Sequence, residues 1–187
     1  MATQDVILET REVSKWFEAT AERQRIVVLD RVDLQIREGE MVALLGPSGS
    51  GKTTFLRILA GLVAPSGGQV LYHDRPLDGL NPGVSIVFQS FALFPWLSVL
   101  ENVLLGLEAQ GMPRKTAHDR ALKAIDMIGL DGFEEAHPRE LSGGMKQRVG
   151  FARALVMEPE ILCMDEPFSG LDVLTAENLR GEMMDLW

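Results

Sequence analysis

The run Met41-Val42-Ala43-Leu44-Leu45, the break Gly46-Pro47-Ser48-Gly49-Ser50-Gly51 and the segment Thr53 to Leu62 constrain this chain more than any other feature. Five apolar residues without alternation fit a strand buried on both faces of a parallel sheet. Three glycines and a proline then interrupt the pattern. Phe55, Leu56, Leu59 and Leu62 resume it at helical spacing. Strand, glycine loop, helix is an α/β arrangement. It places a cluster of backbone N–H groups at a helix N-terminus, where anions bind.

Gly46 to Thr53 also fits G-x-x-x-x-G-K-[ST], in the strand-before, helix-after context that a phosphate loop requires. The glycines let amides converge on phosphates, Lys52 reaches the terminal phosphates and the Thr53 hydroxyl reaches Mg²⁺. The candidate nucleotide-binding residues are therefore Gly46, Pro47, Ser48, Gly49, Ser50, Gly51, Lys52, Thr53 and Thr54. With a formal net charge of −9, the chain lacks the basic stripe that nucleic acid needs. Polyphosphate has to be held locally, by amides, one or two cations and a metal.

Further elements follow from periodicity. Val6 to Val13 and Ile26 to Ile36 read as strands of an antiparallel layer, the second with Leu34 and Ile36 alternating against Asp33 and Gln35. Gln69 to Tyr72, Val84 to Gln89 and Ile161 to Asp165 read as further short strands. Ser98 to Glu108 and Thr116 to Ile128 read as helices, the second with Ala117, Ala121, Ala124, Ile125 and Ile128 on one face. The expected fold is α/β: a P-loop NTPase core with a mostly parallel sheet, an N-terminal antiparallel β layer and an inserted helical sub-domain at about 90–157, all within one domain over 1–187. Cys163, the single cysteine, sits in an apolar run and reads as a small buried hydrophobe. The N-terminus carries acids where a secretory signal would carry bases, and reads as mature protein. No apolar stretch approaches the roughly 18 residues of a membrane span.

Two more motifs carry chemistry. Leu162-Cys163-Met164-Asp165-Glu166 is an apolar strand ending in carboxylates at the sheet edge where ligands bind. Asp165 reads as the second Mg²⁺ holder, and Glu166 as the base or positioner for an attacking water. In Leu141-Ser142-Gly143-Gly144, Ser142 is an N-cap and the two glycines expose N–H groups at a helix start, which makes a second anion site.

The LSGG element, lying between the phosphate loop and Asp165-Glu166, resembles the signature of ABC-transporter ATPases. Gln89 and Ser169-Gly170-Leu171-Asp172 are similar to that family's Q-loop and D-loop. The resemblance implies ATP and Mg²⁺ as ligands, with Gln89 serving both the metal and the reaction alongside Glu166 and Lys52. It implies head-to-tail stacking of two subunits, as a homodimer, in which Ser142, Gly143 and Gly144 of one chain contact the γ-phosphate on the phosphate loop of the other. Gln147 and Asp172 join the nucleotide-contacting set. An N-terminal aromatic would stack on adenine: Phe17, with Trp16 as the rival. The apolar segment Ser90 to Leu97 reads in part as sub-domain core, and in part as a groove receiving a short helix of a membrane permease. FQSFALFPWLSVLENV and LSGGMKQRVGFARAL look most like the nitrate, sulfonate and taurine importer branch. That implies uptake of a small anion delivered to the permease by a solute-binding protein, and a peripheral position on the cytoplasmic face of a bacterial inner membrane.

The family's switch histidine lies on a strand beyond the D-loop, whereas His73, His118 and His137 all precede Asp165. C-terminal truncation is therefore expected, with the chain binding MgATP but hydrolysing it more slowly than an extended version. A soluble ATPase of the same family serving translation or DNA repair, and a nucleotide-binding module with little turnover, stand as the alternatives.

Overall fold

A computed structural model describes residues 5–18 and 25–186, which form two compact units, Met1–Val84 and Ser85–Trp187. Met1 to Gln4, on which much of the mature-start reading rests, and the apolar end at Trp187 lie outside the described residues.

In the first unit, β1 (Val6–Glu18), β2 (Arg25–Arg37), β3 (Gly67–Tyr72) and β4 (Arg75–Pro76) form one antiparallel sheet in the order β2-β1-β3-β4. Alternation fixes the register, because a slip of one residue would turn every apolar side chain to the other face. Leu8 stands opposite both Ile36 and Tyr72, and Leu8 and Val13 are buried. Thr10 is buried with them, and its hydroxyl donates to the Val32 carbonyl at 3.0 Å. The ladder shifts register past Thr10, and Glu12 there has φ 49°. Gly68 passes so close to this bulge that a Cβ would collide with the carbonyl oxygens of Arg11 and Glu12. The hairpin to β4 escaped the periodicity reading. It turns on His73 and Asp74, both at positive φ as a tight hairpin turn requires.

α1 (Lys52–Leu59) begins on Gly51 and buries Phe55, Ile58 and Leu59. Leu62, expected on the same face, lies beyond the helix end and is half exposed.

The expected strand Met41 to Leu45 is not formed. Met41 and Val42 are exposed, and Leu45 is 93% exposed. Composition supplies an apolar run, but a strand exists only where another ladder meets its N–H and C=O groups, and neither sheet among the described residues does so.

The second unit carries β5 (Val84–Val87), α2 (Val99–Ala109), α3 (Arg114–Met127), a short 3-10 turn at Pro138–Glu140, α4 (Gly143–Leu155), β6 (Ile161–Met164) and α5 (Val173–Leu186). β5 and β6 pair as a parallel two-stranded sheet, joined by the intervening helices as parallel strands must be. Ser98 caps α2 through a reciprocal capping box with Glu101, at 3.2 and 2.7 Å. The face read on α3 is the one buried: Ala117, Ala121, Ala124, Ile125 and Ile128 pack with Val103, Leu107, Val149 and Phe151. Cys163 is buried as expected, and burial pushes its thiol up to about 11.

Asn102 is fully buried and ties the loop before α2 to that helix. Its amide nitrogen donates to the carbonyls of Phe94, Leu97 and Ser98 at 3.2, 3.1 and 2.8 Å, and its oxygen accepts from Phe94 N at 2.9 Å. Asn102→Ala strands buried polar groups and is expected to cost about 2–3 kcal/mol. That corresponds to a melting temperature lower by about 4–12 °C for a domain of this size. A thermal scan showing a shift below about 1 °C would mean the loop does not depend on these bonds.

Candidate functional site

In the first unit the glycine loop leads into α1 with Gly51 at φ 94° as its N-cap. Gly51 has a second reason to be glycine, since a Cβ there would stand 2.9 Å from the Val28 carbonyl oxygen. α1 has no side-chain cap and no acid in its own first turn, so its N-terminal end offers amide donors and a positive dipole. Lys52 Nζ donates to the carbonyls of Gly46 and Pro47 at 2.9 and 3.1 Å, which holds the ammonium over the loop. Gly46 to Ser50 are exposed, while Gly51, Lys52, Thr53 and Thr54 are half-buried. Such a cradle fits a polyphosphate on geometry and on charge. At the end of β1, Trp16 is half-buried with its ring 3.6 Å from where a Cβ at Gly67 would sit. Phe17 is exposed, with Lys15 Nζ 5.2 Å from its ring centroid.

The second unit brings Gln89 and the carboxylate strand together. Asp165 is buried directly after β6, and its N–H donates to the Val87 carbonyl at 3.0 Å, which fixes the strand end beside β5. Glu166 follows in left-handed backbone, φ 46°, unusual for a residue with a side chain. Its carboxylate accepts from Gln89 Nε2 at 3.4 Å, and the same nitrogen donates to Ser169 Oγ at 3.1 Å. Ser169 Oγ in turn donates to the Glu166 carbonyl at 3.0 Å. An amide, a carboxylate and a hydroxyl from positions about eighty residues apart thus form one polar cluster. The reading of single site residues missed Ser169, although it stands in the D-loop motif three residues after Glu166.

α4 opens on Ser142, whose Oγ accepts from Met145 N at 3.2 Å, with no acid in its first turn. Ser142 and Gly143 are exposed. A Cβ at Gly144 would come within 2.9 Å of Thr175, so the packing of α5 on α4 requires a small residue there as well. Asp172 caps α5 through Thr175 N at 3.0 Å. The side-chain and backbone hydrogen bonds of Thr175 hold its carboxyl below the usual range, so the cap persists at neutral pH and weakens as pH falls through that lowered pKa. Gln147, which the resemblance implies as a nucleotide contact, stands differently from Ser142 and Gly143. It is fully buried, with neither amide atom hydrogen-bonded, because it falls on the face of α4 that turns into the core.

Phe94 and Trp96 are both exposed, with ring centroids 5.4 Å apart, while Leu93 of the same segment packs on the core. His73 and His118 are exposed, and His137 is half-buried beside Glu140. The described residues contain no cluster of three or more metal-binding side chains, and no helix long and apolar enough to cross a membrane.

Residues 29–169 match the ABC transporter family. The chain belongs to that family. An uncharacterized ABC transporter ATP-binding protein of Methanocaldococcus jannaschii is 44% identical over 97% of this ABC chain and 67% of its own length. The nitrate import ATP-binding protein of Synechocystis is 42% identical over 96% and 67%. A spermidine/putrescine import ATP-binding protein of Oleidesulfovibrio alaskensis is 44% identical over 100% and 49%. The chain thus spans about two thirds or less of the length of these relatives. Among solved structures, an ATP-binding cassette in a dimeric post-hydrolysis state with ADP and Pi superposes with TM-score 0.84. It is 35% identical, over 96% of this chain and 82% of that one. The expected P-loop NTPase fold is the fold found.

Proposed function

We propose that this chain binds and hydrolyses MgATP as the cytoplasmic, membrane-peripheral subunit of an importer, paired head to tail with a second copy and docked on a separate permease. The observation that carries the reading is the cluster of Gln89, Glu166 and Ser169 at the end of β6. A carboxylate held in strained backbone, and braced by an amide and a hydroxyl, suits the orientation of an attacking water.

The phosphate loop binds the polyphosphate through its amides, and Lys52 moves from the loop carbonyls to the terminal phosphates. Thr53 and Asp165, with Gln89, supply oxygens of the hard type that Mg²⁺ takes alongside phosphates and water. MgATP supplies the transferable phosphoryl group and the metal charge. Glu166 then positions or deprotonates water, while Ser142, Gly143 and Gly144 serve the nucleotide of the partner copy. Phe17, exposed where Trp16 is packed, takes the adenine. Residues of about 90–157 act as the helical sub-domain, and the exposed Phe94 and Trp96 meet the permease. The importer takes a small solute delivered by a binding protein. A small anion fits the resemblance to the nitrate relative, while a similar identity to a polyamine relative supports recognition of the solute by the permease and binding protein.

Glu166→Gln tests the chemistry. Hydrolysis, followed with γ-labelled ATP over hours, is expected to fall at least about a hundredfold with ATP affinity changed less than about threefold. An undiminished rate would remove Glu166 from the reaction.

A further inference from the structure

Two residues after Gln89, the backbone enters an unusual state: Phe91 and Ala92 are consecutively left-handed, at φ 60° and 48°. Residues with side chains rarely adopt this state, and a pair of them persists only when the surroundings hold it. The holder is on α4. Arg153 Nη1 donates to the Ala92 carbonyl at 2.6 Å, and its Nη2 to the Phe91 carbonyl at 3.1 Å. A planar guanidinium sets two donors on separate nitrogens against the two carbonyls in a fixed fork, whereas a lysine would have to make both bonds from one nitrogen. Gly150, one turn earlier on α4, faces the same turn, and a Cβ there would make ordinary contact with the Phe91 oxygen at 3.7 Å. Partial burial strips water from the guanidinium and lowers its pKa from arginine's ordinary value, and the two carbonyls replace that lost water. Beyond the turn, Asn102 holds Phe94 and Leu97. The segment between Gln89 and α2 is thus tied on one side to the helix that opens at Ser142, and on the other to α2.

We propose that Arg153 is a positioning residue for Gln89: by pinning the Phe91–Ala92 turn to α4, it sets where the Gln89 amide stands relative to Glu166 and Ser169. This rests on the reading of Gln89 as a ligand on the metal side of the nucleotide. The signature helix and the Gln89 loop then shift together, so a displacement felt at Phe94 and Trp96 reaches the amide through a short, doubly anchored turn.

Hydrogen exchange on the whole chain reads the tether directly. Arg153→Met keeps the aliphatic stem and drops every donor, so the amides of residues 91–97 are expected to exchange at least about tenfold faster, with α3 unchanged. Arg153→Lys should fall between, and carries the test if the methionine variant does not fold. Unchanged exchange in the folded variants overturns the proposal. The second arm measures how far Mg²⁺ tightens ATP binding. That factor should drop in Arg153→Met as in Gln89→Ala, and the double variant should be no worse than Gln89→Ala alone. A drop in Gln89→Ala with none in Arg153→Met overturns the positioning role. Faster exchange with no drop in either variant overturns the metal-side reading of Gln89, and the positioning role with it.

Discussion

Lys52→Ala is expected to weaken ATP binding about ten- to a hundredfold. The ammonium stands at the first residue of α1, over a loop whose amides and helix dipole already attract anions, and it is held by the carbonyls of Gly46 and Pro47. Transfer of that ammonium from carbonyl oxygens to a phosphate adds the attraction of an anionic acceptor to an already charged donor, and hydrogen bonds to charged groups are worth about 1.5–3 kcal/mol. Net charge cannot substitute, because the overall field of a chain at −9 opposes a polyanion. The variant also loses two bonds within the loop, so its melting temperature should be measured beside its affinity. A fall in affinity with melting unchanged assigns the effect to the phosphates. Unchanged affinity would remove Lys52 from the site.

The second large effect concerns the partner copy. Ser142→Arg should leave ATP binding by the single chain within about threefold while abolishing MgATP-dependent dimerisation. Ser142 is exposed at the N-terminus of α4, and the proposed head-to-tail pairing gives it to the nucleotide of the partner copy. Arginine there places bulk where a partner's phosphates would approach, and positive charge against the positive end of the helix dipole. It also removes the cap to Met145, worth about 0.5–2 kcal/mol. Ser142→Ala, which loses the cap alone, separates the two effects and should retain most of the dimer. Sedimentation with MgATP showing an undiminished dimer of Ser142→Arg would contradict the shared site.

The parts of this fold legible in the sequence are those set by short-range physics. The α3 face, the Ser142 cap and the alternation of β2 each depend on spacings within a few residues, and each stands where the pattern put it. Met41 to Leu45 shows the limit. Its composition asks for burial, but the ladder that makes a strand has to come from elsewhere in the chain, and no local pattern reports whether it does. Gln147 shows a related limit. Its place in the signature motif suggested a ligand contact, while the turn of α4 carries it inward. Asn102 and Arg153 were invisible for the opposite reason: both are ordinary polar residues, and what distinguishes them is a partner or a backbone state that only the fold supplies.

Equilibrium titration of the chain with ATP, in the presence and absence of Mg²⁺, tests the central claim most directly. The account predicts saturable binding of one nucleotide per chain, tightened by the metal, with Asp165→Asn losing the metal's contribution and keeping the metal-free affinity. Absence of saturable binding, or binding that is equally tight without Mg²⁺ and indifferent to Asp165, would contradict it.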